Sequence, residues 1–211
     1  MKQTYADNLR NSHKKYEENK WEERSRKSLH HIVAAVCFRE TSESTYQQHG
    51  SVILPAIGFY YSMFHIGLAG LFVEYQIDIQ KLERIRHSQL KRFISTYLVG
   101  KDFVSTDFTD IFNKTRDIRE LVNYPFVIDG YDKNPTRLRD QLSSLYQETE
   151  NPFGDVINFI REVSNATGDQ IVWYIRHAIG DTVGDEFYQT YLSVADREKV
   201  VKYLVQQNLT T

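Results

Sequence analysis

The chain has 211 residues, with 26 Lys and Arg against 28 Asp and Glu, so its formal net charge is −2. This near balance argues against a strong overall attraction to nucleic acid or to a membrane surface, and the length allows one large domain or a domain with an appendage. The charge is uneven, because residues 1–124 carry +3 and residues 125–211 carry −5, which makes the first part the better partner for a phosphate backbone.

Cys37 is the single cysteine, so no internal disulfide can form and a reducing compartment is favoured. No Cys/His cluster has zinc-site spacing, no Glu stands three residues before a His, and no glycine-rich phosphate loop follows a strand pattern. The first residues, MKQTYADNLRNSHKKYEENK, are charged and lack the apolar core of a secretory signal. We therefore expect a cytoplasmic protein with no metal ion and no cofactor.

The first half of the chain predicts long amphipathic helices. Residues 4–38 carry apolar side chains at spacings of three, four and seven, which predicts one helix or two. The polar stretch ETSESTYQQHGS at 40–51 predicts a loop. Pro55 suits the first turn of a helix whose broad apolar face extends from Ile57 to Ile79. This segment is long enough to span a membrane, but Pro55, His65 and several Tyr and Gly interrupt it, so we predict a buried core helix and no membrane contact.

Further helices are predicted over residues 81–98 and 106–124, the second ending before Pro125. Shorter helices are predicted near 136–148, 153–165, 169–179, 185–192 and 194–207, the last with a capping box from Ser193 to Asp196. No stretch alternates like a strand, so the fold class is all-α. The helix at 81–98 has a basic face opposite its apolar face, formed by Lys81, Arg84, Arg86, Lys91 and Arg92. His87 lies among these cations, and a solvated charged face is the simplest interpretation of them.

The stretch RDIRELVNYPF at 116–126 gathers polar side chains at one helix end. Arg116, Arg119 and Asn123 fall on one side of a continuous helix, and Arg119 borders the apolar stripe, where a guanidinium needs a partner. The competing interpretation is that these residues only cap the negative end of the helix dipole. His65 likewise leaves two interpretations open, a histidine packed in the core or a catalytic one.

Three motifs occur in a fixed order: YYSMFHIG at 60–67, HS at 87–88, and Arg119 followed by Asn123 and Tyr124. Together they resemble the successive core helices of HEPN domains, the higher eukaryote and prokaryote nucleotide-binding family, especially its small stand-alone bacterial members. The resemblance covers roughly residues 10–128. It implies an up-and-down helical bundle that pairs about a two-fold axis. In catalytic members, an Arg followed four to six residues later by a His cleaves RNA without a metal ion.

Arg119 matches the family's Arg, whereas Tyr124 stands where the His is expected. A phenol with its ordinary pKa of about 10 is a poor base at neutral pH, although it can donate to phosphate. Three functions therefore stay open: a metal-independent endoribonuclease of a defence or toxin–antitoxin system, a non-catalytic module that binds RNA, nucleotide or a partner, and a helical interaction protein that uses the bundle as a scaffold.

These patterns predict two regions, a HEPN-like bundle over residues 1–128 and a helical C-terminal extension over 129–211 that could pack on the same core. We expect a homodimer that engages RNA or nucleotide, with an antitoxin or effector protein as a further partner. The predicted catalytic residues are Arg116, Arg119, Asn123 and Tyr124. The predicted nucleic-acid-binding residues are Arg84, Arg86, His87, Lys91 and Arg92.

Overall fold

The protein is described by a computed structural model that covers residues 1–15, 17–123, 135–168 and 192–207, with backbone only at 135–137. The predicted all-α class is confirmed, because all regular secondary structure in these ranges is helical. The helices are α1 (Gln3–His13), α2 (Trp21–His49), α3 (Ile53–Phe72), α4 (Ile79–Glu83), α5 (His87–Tyr97), a 3-10 turn (Val99–Lys101), α6 (Asp107–Asn123), α7 (Pro135–Glu148), α8 (Glu150–Thr167) and α9 (Val194–Gln206). The predicted helices at 169–179 and 185–192 lie outside the described residues, apart from residue 192.

Helices α2 and α3 form an antiparallel hairpin at the centre of the bundle. The hairpin turns at Gly50, whose φ of +59° closes α2 in the left-handed conformation that glycine adopts at little cost. Helix α3 then packs against α5, α6, α7 and α8. Its composition and length would allow a membrane span, but 72% of its most apolar window is buried inside the bundle. This burial fits the predicted core helix of a soluble protein.

The predicted loop at residues 40–51 is wrong, because α2 continues to His49. The C-terminal helices hold this polar end of α2 in place. Arg39 donates to the Thr149 hydroxyl at 3.0 Å and to the Tyr146 carbonyl at 2.8 Å, and the Tyr46 hydroxyl donates to the Arg139 carbonyl at 3.0 Å. Tertiary contacts therefore override the weak helix preference of a Ser- and Thr-rich segment.

The prediction that one apolar helix face extends to Ile79 is also wrong, because α3 ends at Phe72. Arg24 of α2 is buried and donates to the carbonyls of Phe72 at 3.1 Å, Glu74 at 3.4 Å and Ile77 at 2.5 Å. These bonds satisfy carbonyls that a continuing helix would have used, so the chain turns there. The predicted helix at 81–98 is in turn divided into α4 and α5.

The remaining predicted helices are confirmed in position. Of the side chains that the spacing at 106–124 predicts to point inward, Phe108, Phe112, Thr115 and Ile118 are buried, whereas Ile111 and Val122 are partly buried. The Ser193 hydroxyl caps α9 by accepting from the Asp196 amide at 3.1 Å. In a capping box the Asp196 carboxylate would accept from the Ser193 backbone amide, but here it accepts from the Ser193 hydroxyl at 2.7 Å.

Helices from both predicted regions contribute to one hydrophobic core. Apolar side chains of α8 and α9 lie in the same buried cluster as those of α2 and α3. Glycines let the helices approach closely: a Cβ built on Gly67 would lie 2.6 Å from Cδ1 of Ile94 and 3.2 Å from Cζ of Phe108. The described part of the extension therefore packs on the bundle and fixes α3, from which the candidate site is built.

Candidate functional site

Tyr60 of α3 is the centre of a polar cluster at the border of the core. Its side chain is almost fully buried, with 1% of its surface exposed. Its hydroxyl lies 2.6 Å from Nδ1 of His87, the first residue of α5. Burial raises the pKa of Tyr60 above its ordinary value of about 10, so the phenol keeps its proton at neutral pH.

Arg119 of α6 lies beside the same ring. Its guanidinium carbon is 5.0 Å from the Tyr60 ring centroid, within the range of a cation–π interaction. The buried Thr115 and Ile118 anchor α6 and bring Arg119 to the edge of the core. The Nε of Arg119 is buried and has no hydrogen-bond partner in the part of the chain that the structure describes. A buried N–H without an acceptor is costly, and a guanidinium has four further N–H donors with which it can bind an anion.

His87 completes what we call the Tyr60–His87–Arg119 cluster, and it is exposed to solvent. Its ring centroid lies 4.3 Å from that of Phe64. Partial burial lowers the pKa of His87, and the positive charge of Arg119 lowers it further. The position at the N-terminus of α5 acts in the same direction, because a cation is disfavoured there. The imidazole is therefore neutral at pH 7 and accessible from solvent.

The predicted basic surface borders this cluster. Arg84, Arg86 and Arg92 are exposed and Lys91 is partly buried. Within the described residues, none of these four forms an ion pair. Arg86 directly precedes His87, and its backbone amide donates to the Gln89 side chain at 3.0 Å. Positive charge without acidic partners thus lies beside an exposed imidazole, a combination suited to a phosphate backbone.

Of the four predicted catalytic residues, the described structure places only Arg119 in the cluster. Arg116 is engaged locally, since Nη2 lies 2.8 Å from Oδ1 of Asp117 and Nε lies 3.8 Å from Oε1 of Glu120. Asn123 is exposed at the end of α6, and Tyr124 lies outside the described residues. The sequence motifs included Tyr60 and His87, but their hydrogen bond could not be predicted. It joins two different helices, α3 and α5, and residue spacing along the chain does not show which helices pack together.

A pair of neighbouring histidines is formed by His65, further along α3, and His31 of α2. Nδ1 of His65 is 2.8 Å from Nδ1 of His31, so one ring donates a proton and the other accepts it. Burial and mutual charge repulsion lower the pKa of His31 to about 3, and burial with the charge of His87 lowers that of His65 to about 4. Both rings are therefore neutral at pH 7, and His65 is a histidine packed against other rings rather than a titrating one.

The described residues contain no group of three or more His, Cys, Asp or Glu side chains that could hold a metal ion. No family model matches the chain, and no curated protein and no solved structure matches it. The chemistry available at the Tyr60–His87–Arg119 cluster is that of an imidazole, a guanidinium and a phenol. These are a proton acceptor, a fixed positive charge and a hydrogen-bonding group that orients the imidazole.

Proposed function

We propose that the protein binds RNA at the Tyr60–His87–Arg119 cluster and cleaves a phosphodiester bond there, with His87 as base and Arg119 as charge clamp. The observation that carries this proposal is that an exposed imidazole and a guanidinium both contact one buried phenol. Cleavage of RNA at its own 2′-hydroxyl needs a base near that hydroxyl and a cation near the phosphate. The cluster contains both.

Tyr60 acts as a positioning residue, and its bond to His87 has two directions. When Nδ1 of His87 donates to the phenol oxygen, Nε2 keeps a lone pair and can take a proton. When the phenol donates to Nδ1, Nε2 carries a hydrogen that can be donated to a phosphate oxygen. The first tautomer is the reactive one, and the second still favours a bound phosphate.

In the proposed step, Nε2 of His87 removes the proton of the ribose 2′-hydroxyl, and the 2′-oxygen attacks phosphorus. The bond between phosphorus and the 5′-oxygen breaks, leaving a 2′,3′-cyclic phosphate. The leaving 5′-oxygen takes a proton from water, and the imidazolium returns its proton to solvent. Arg119 stabilises the negative charge that accumulates on the phosphate oxygens during this step.

The proposal agrees with the resemblance to HEPN domains in one specific way. That resemblance implies an Arg and a His at one site. Tyr124, at the position expected for the His, has no imidazole, and in this proposal His87 supplies it. On the same basis we propose a cytoplasmic, two-fold homodimer that acts in a defence or toxin–antitoxin setting. An antitoxin or effector protein would then be its partner.

The proposal is tested by three variants of the cluster, His87→Asn, Arg119→Lys and Tyr60→Phe. The assays are cleavage of a labelled single-stranded RNA in the presence of EDTA, RNA binding by fluorescence anisotropy, and melting temperature. His87→Asn should lower cleavage by about 10²- to 10⁴-fold while binding changes little, as expected for loss of a base. Arg119→Lys should weaken both, because Lys keeps the charge but loses the bidentate geometry.

Matched controls are His49→Asn, an exposed histidine at the end of α2, and Arg161→Lys, whose guanidinium donates to Asn158 on the surface of α8. Both should behave like the wild type. If the wild-type protein binds RNA but does not cleave it, the result would support the non-catalytic binding module instead. Unchanged cleavage and binding in all three cluster variants, with folding intact, would refute the proposal.

The basic surface gives a second test. Replacing Arg86 and Lys91 by Gln should weaken RNA binding and reduce the slope of log affinity against log salt, because fewer counterions are released on binding. The affinity of wild type and variant should converge at high salt. An unchanged slope would place the phosphate contacts elsewhere on the protein.

A further inference from the structure

Beside the cluster, three aromatic rings form a stacked surface that we call the aromatic platform: Phe38 of α2 with Tyr61 and His65 of α3. Phe38 has 38% of its surface exposed. Its ring is nearly parallel to that of His65, with an interplanar angle of 4° and a centroid distance of 5.6 Å. The Tyr61 ring also stacks on the Phe38 ring, with a centroid distance of 5.6 Å and an interplanar angle of 28°. The platform therefore presents ring surface to solvent.

The platform is held in position from below. His65 is fixed by the bond from its Nδ1 to that of His31, 2.8 Å away, and the His31 ring stacks on the buried Phe72 at 5.2 Å and 17°. Both imidazoles are neutral at pH 7, so the rings that support Phe38 carry no fixed charge. A ligand that stacks on this surface would not have to order it first, so less of the contact energy is lost on binding.

The platform is also next to the reacting groups. The Tyr61 ring meets the His87 ring edge-on, with centroids 5.9 Å apart, and lies 5.4 Å from the Tyr60 ring. Phe38 is thus separated from His87 by a single aromatic ring. A nucleotide with its phosphate at Arg119 would have the platform within reach of a neighbouring base.

We propose that the aromatic platform binds an unpaired nucleobase of the RNA whose phosphate lies at the Tyr60–His87–Arg119 cluster; this inference rests on the proposed function. A base inside a duplex is already stacked on both faces and cannot lie on a protein ring, so the platform selects single-stranded RNA. Stacking tolerates every base, because each has a π face. The cations Arg84, Arg86 and Arg92, which form no ion pair within the described residues, favour a nucleic acid over another apolar surface as the occupant.

The test compares Phe38→Ala, Phe38→Leu and Phe38→Trp with the wild type, in the full chain. The probes are a short uridine oligoribonucleotide, the same strand with abasic residues, and the same strand annealed to its complement. Phe38→Ala should weaken binding of the uridine strand about 5- to 150-fold, the range measured for loss of one base–aromatic stack. Phe38→Trp should keep or tighten binding. Phe38→Leu, which stays apolar but loses the ring, should resemble Phe38→Ala.

The wild type should bind the abasic strand as weakly as Phe38→Ala binds the uridine strand. Phe38→Ala should bind the abasic strand with the same affinity as the wild type does. The duplex should bind weakly and be insensitive to Phe38. Normal binding by Phe38→Ala, while the His87 and Arg119 variants show their losses, would overturn the platform and leave the proposed function standing. If the wild type binds none of these probes, the proposed function fails and the platform with it.

Light scattering on the same samples checks the competing occupant. If Phe38→Ala changes the molecular mass but leaves RNA affinity unaltered, the platform is a contact between copies of the chain, and the nucleobase assignment is overturned.

Discussion

The His31–His65 pair predicts a loss of stability in mild acid. Both imidazoles titrate near their ordinary pKa of about 6.5 in the unfolded chain, whereas in the folded protein their pKa values fall to about 3 and about 4. The unfolded state therefore binds more protons, and stability is complete above about pH 6.5 and declines as the pH falls towards the folded values. At about pH 5, the loss is about 2 kcal/mol for each imidazole.

For the pair this amounts to about 4 kcal/mol, a large part of the total stability of about 5–15 kcal/mol that is typical of folded domains. Urea unfolding at about pH 8 and about pH 5 measures the effect. In His31→Asn/His65→Asn, the difference in unfolding free energy between these two conditions should shrink by about 4 kcal/mol, and in His31→Asn alone by about 2 kcal/mol. Asn keeps a hydrogen-bonding amide near the position of Nδ1 but does not titrate.

His49→Asn removes an exposed imidazole at the end of α2 and corrects for the loss of one histidine. Comparison with this control cancels the titration of carboxylates, which both chains share. If the wild type and the double variant lose stability in parallel between the two pH values, the assignment of the acid sensitivity to this pair is wrong.

Three further predictions concern packing and capping, and each is measured by urea unfolding. Gly67→Ala should cost about 1–3 kcal/mol, because the new Cβ would meet Ile94; adding Ile94→Val should restore part of this, and no restoration would mean that another contact is responsible. Arg24→Met should cost about 3–5 kcal/mol, since the Phe72 and Ile77 carbonyls lose their buried donor while the Glu74 carbonyl keeps the Ile77 amide; a loss under about 1 kcal/mol would contradict this account. Ser193→Ala should cost about 1 kcal/mol through loss of the α9 cap, and equal stability would argue against that cap in solution.

Periodicity was sufficient where a helix packs along one face. In α6 the predicted pattern identified four buried side chains, and the predicted helix at 106–124 agrees with α6 over the described residues up to Asn123. In α3 the composition alone would have allowed a membrane span, yet the interruptions by Pro55 and His65 pointed to a core helix, which the burial of α3 supports. These successes share a cause, because local pattern and tertiary burial favour the same structure there.

The errors arose where distant residues decide the local structure. The end of α2 is polar and rich in Ser and Thr, and its contacts with distant helices, among them α7 and α8, favour the helix there. The end of α3 is predicted as continuing helix, whereas Arg24, some fifty residues earlier in the chain, donates to carbonyls at its end. Neither partner can be identified from spacing, because both depend on how the helices pack.

In the candidate site, one residue could be predicted from the local sequence pattern and the other could not. Arg119 could be predicted, since a cation at the border of an apolar stripe needs a partner and the stripe is visible in the sequence. The resemblance to HEPN domains directed attention to Tyr124, five residues further along the chain, because the family's His is expected there. The structure instead places the imidazole of His87 there through Tyr60, from two other helices. A site built from α3, α5 and α6 keeps its geometry only while their shared core holds, so the glycine contacts and the C-terminal helices that fix α3 also fix the positions of Tyr60, His87 and Arg119 relative to one another.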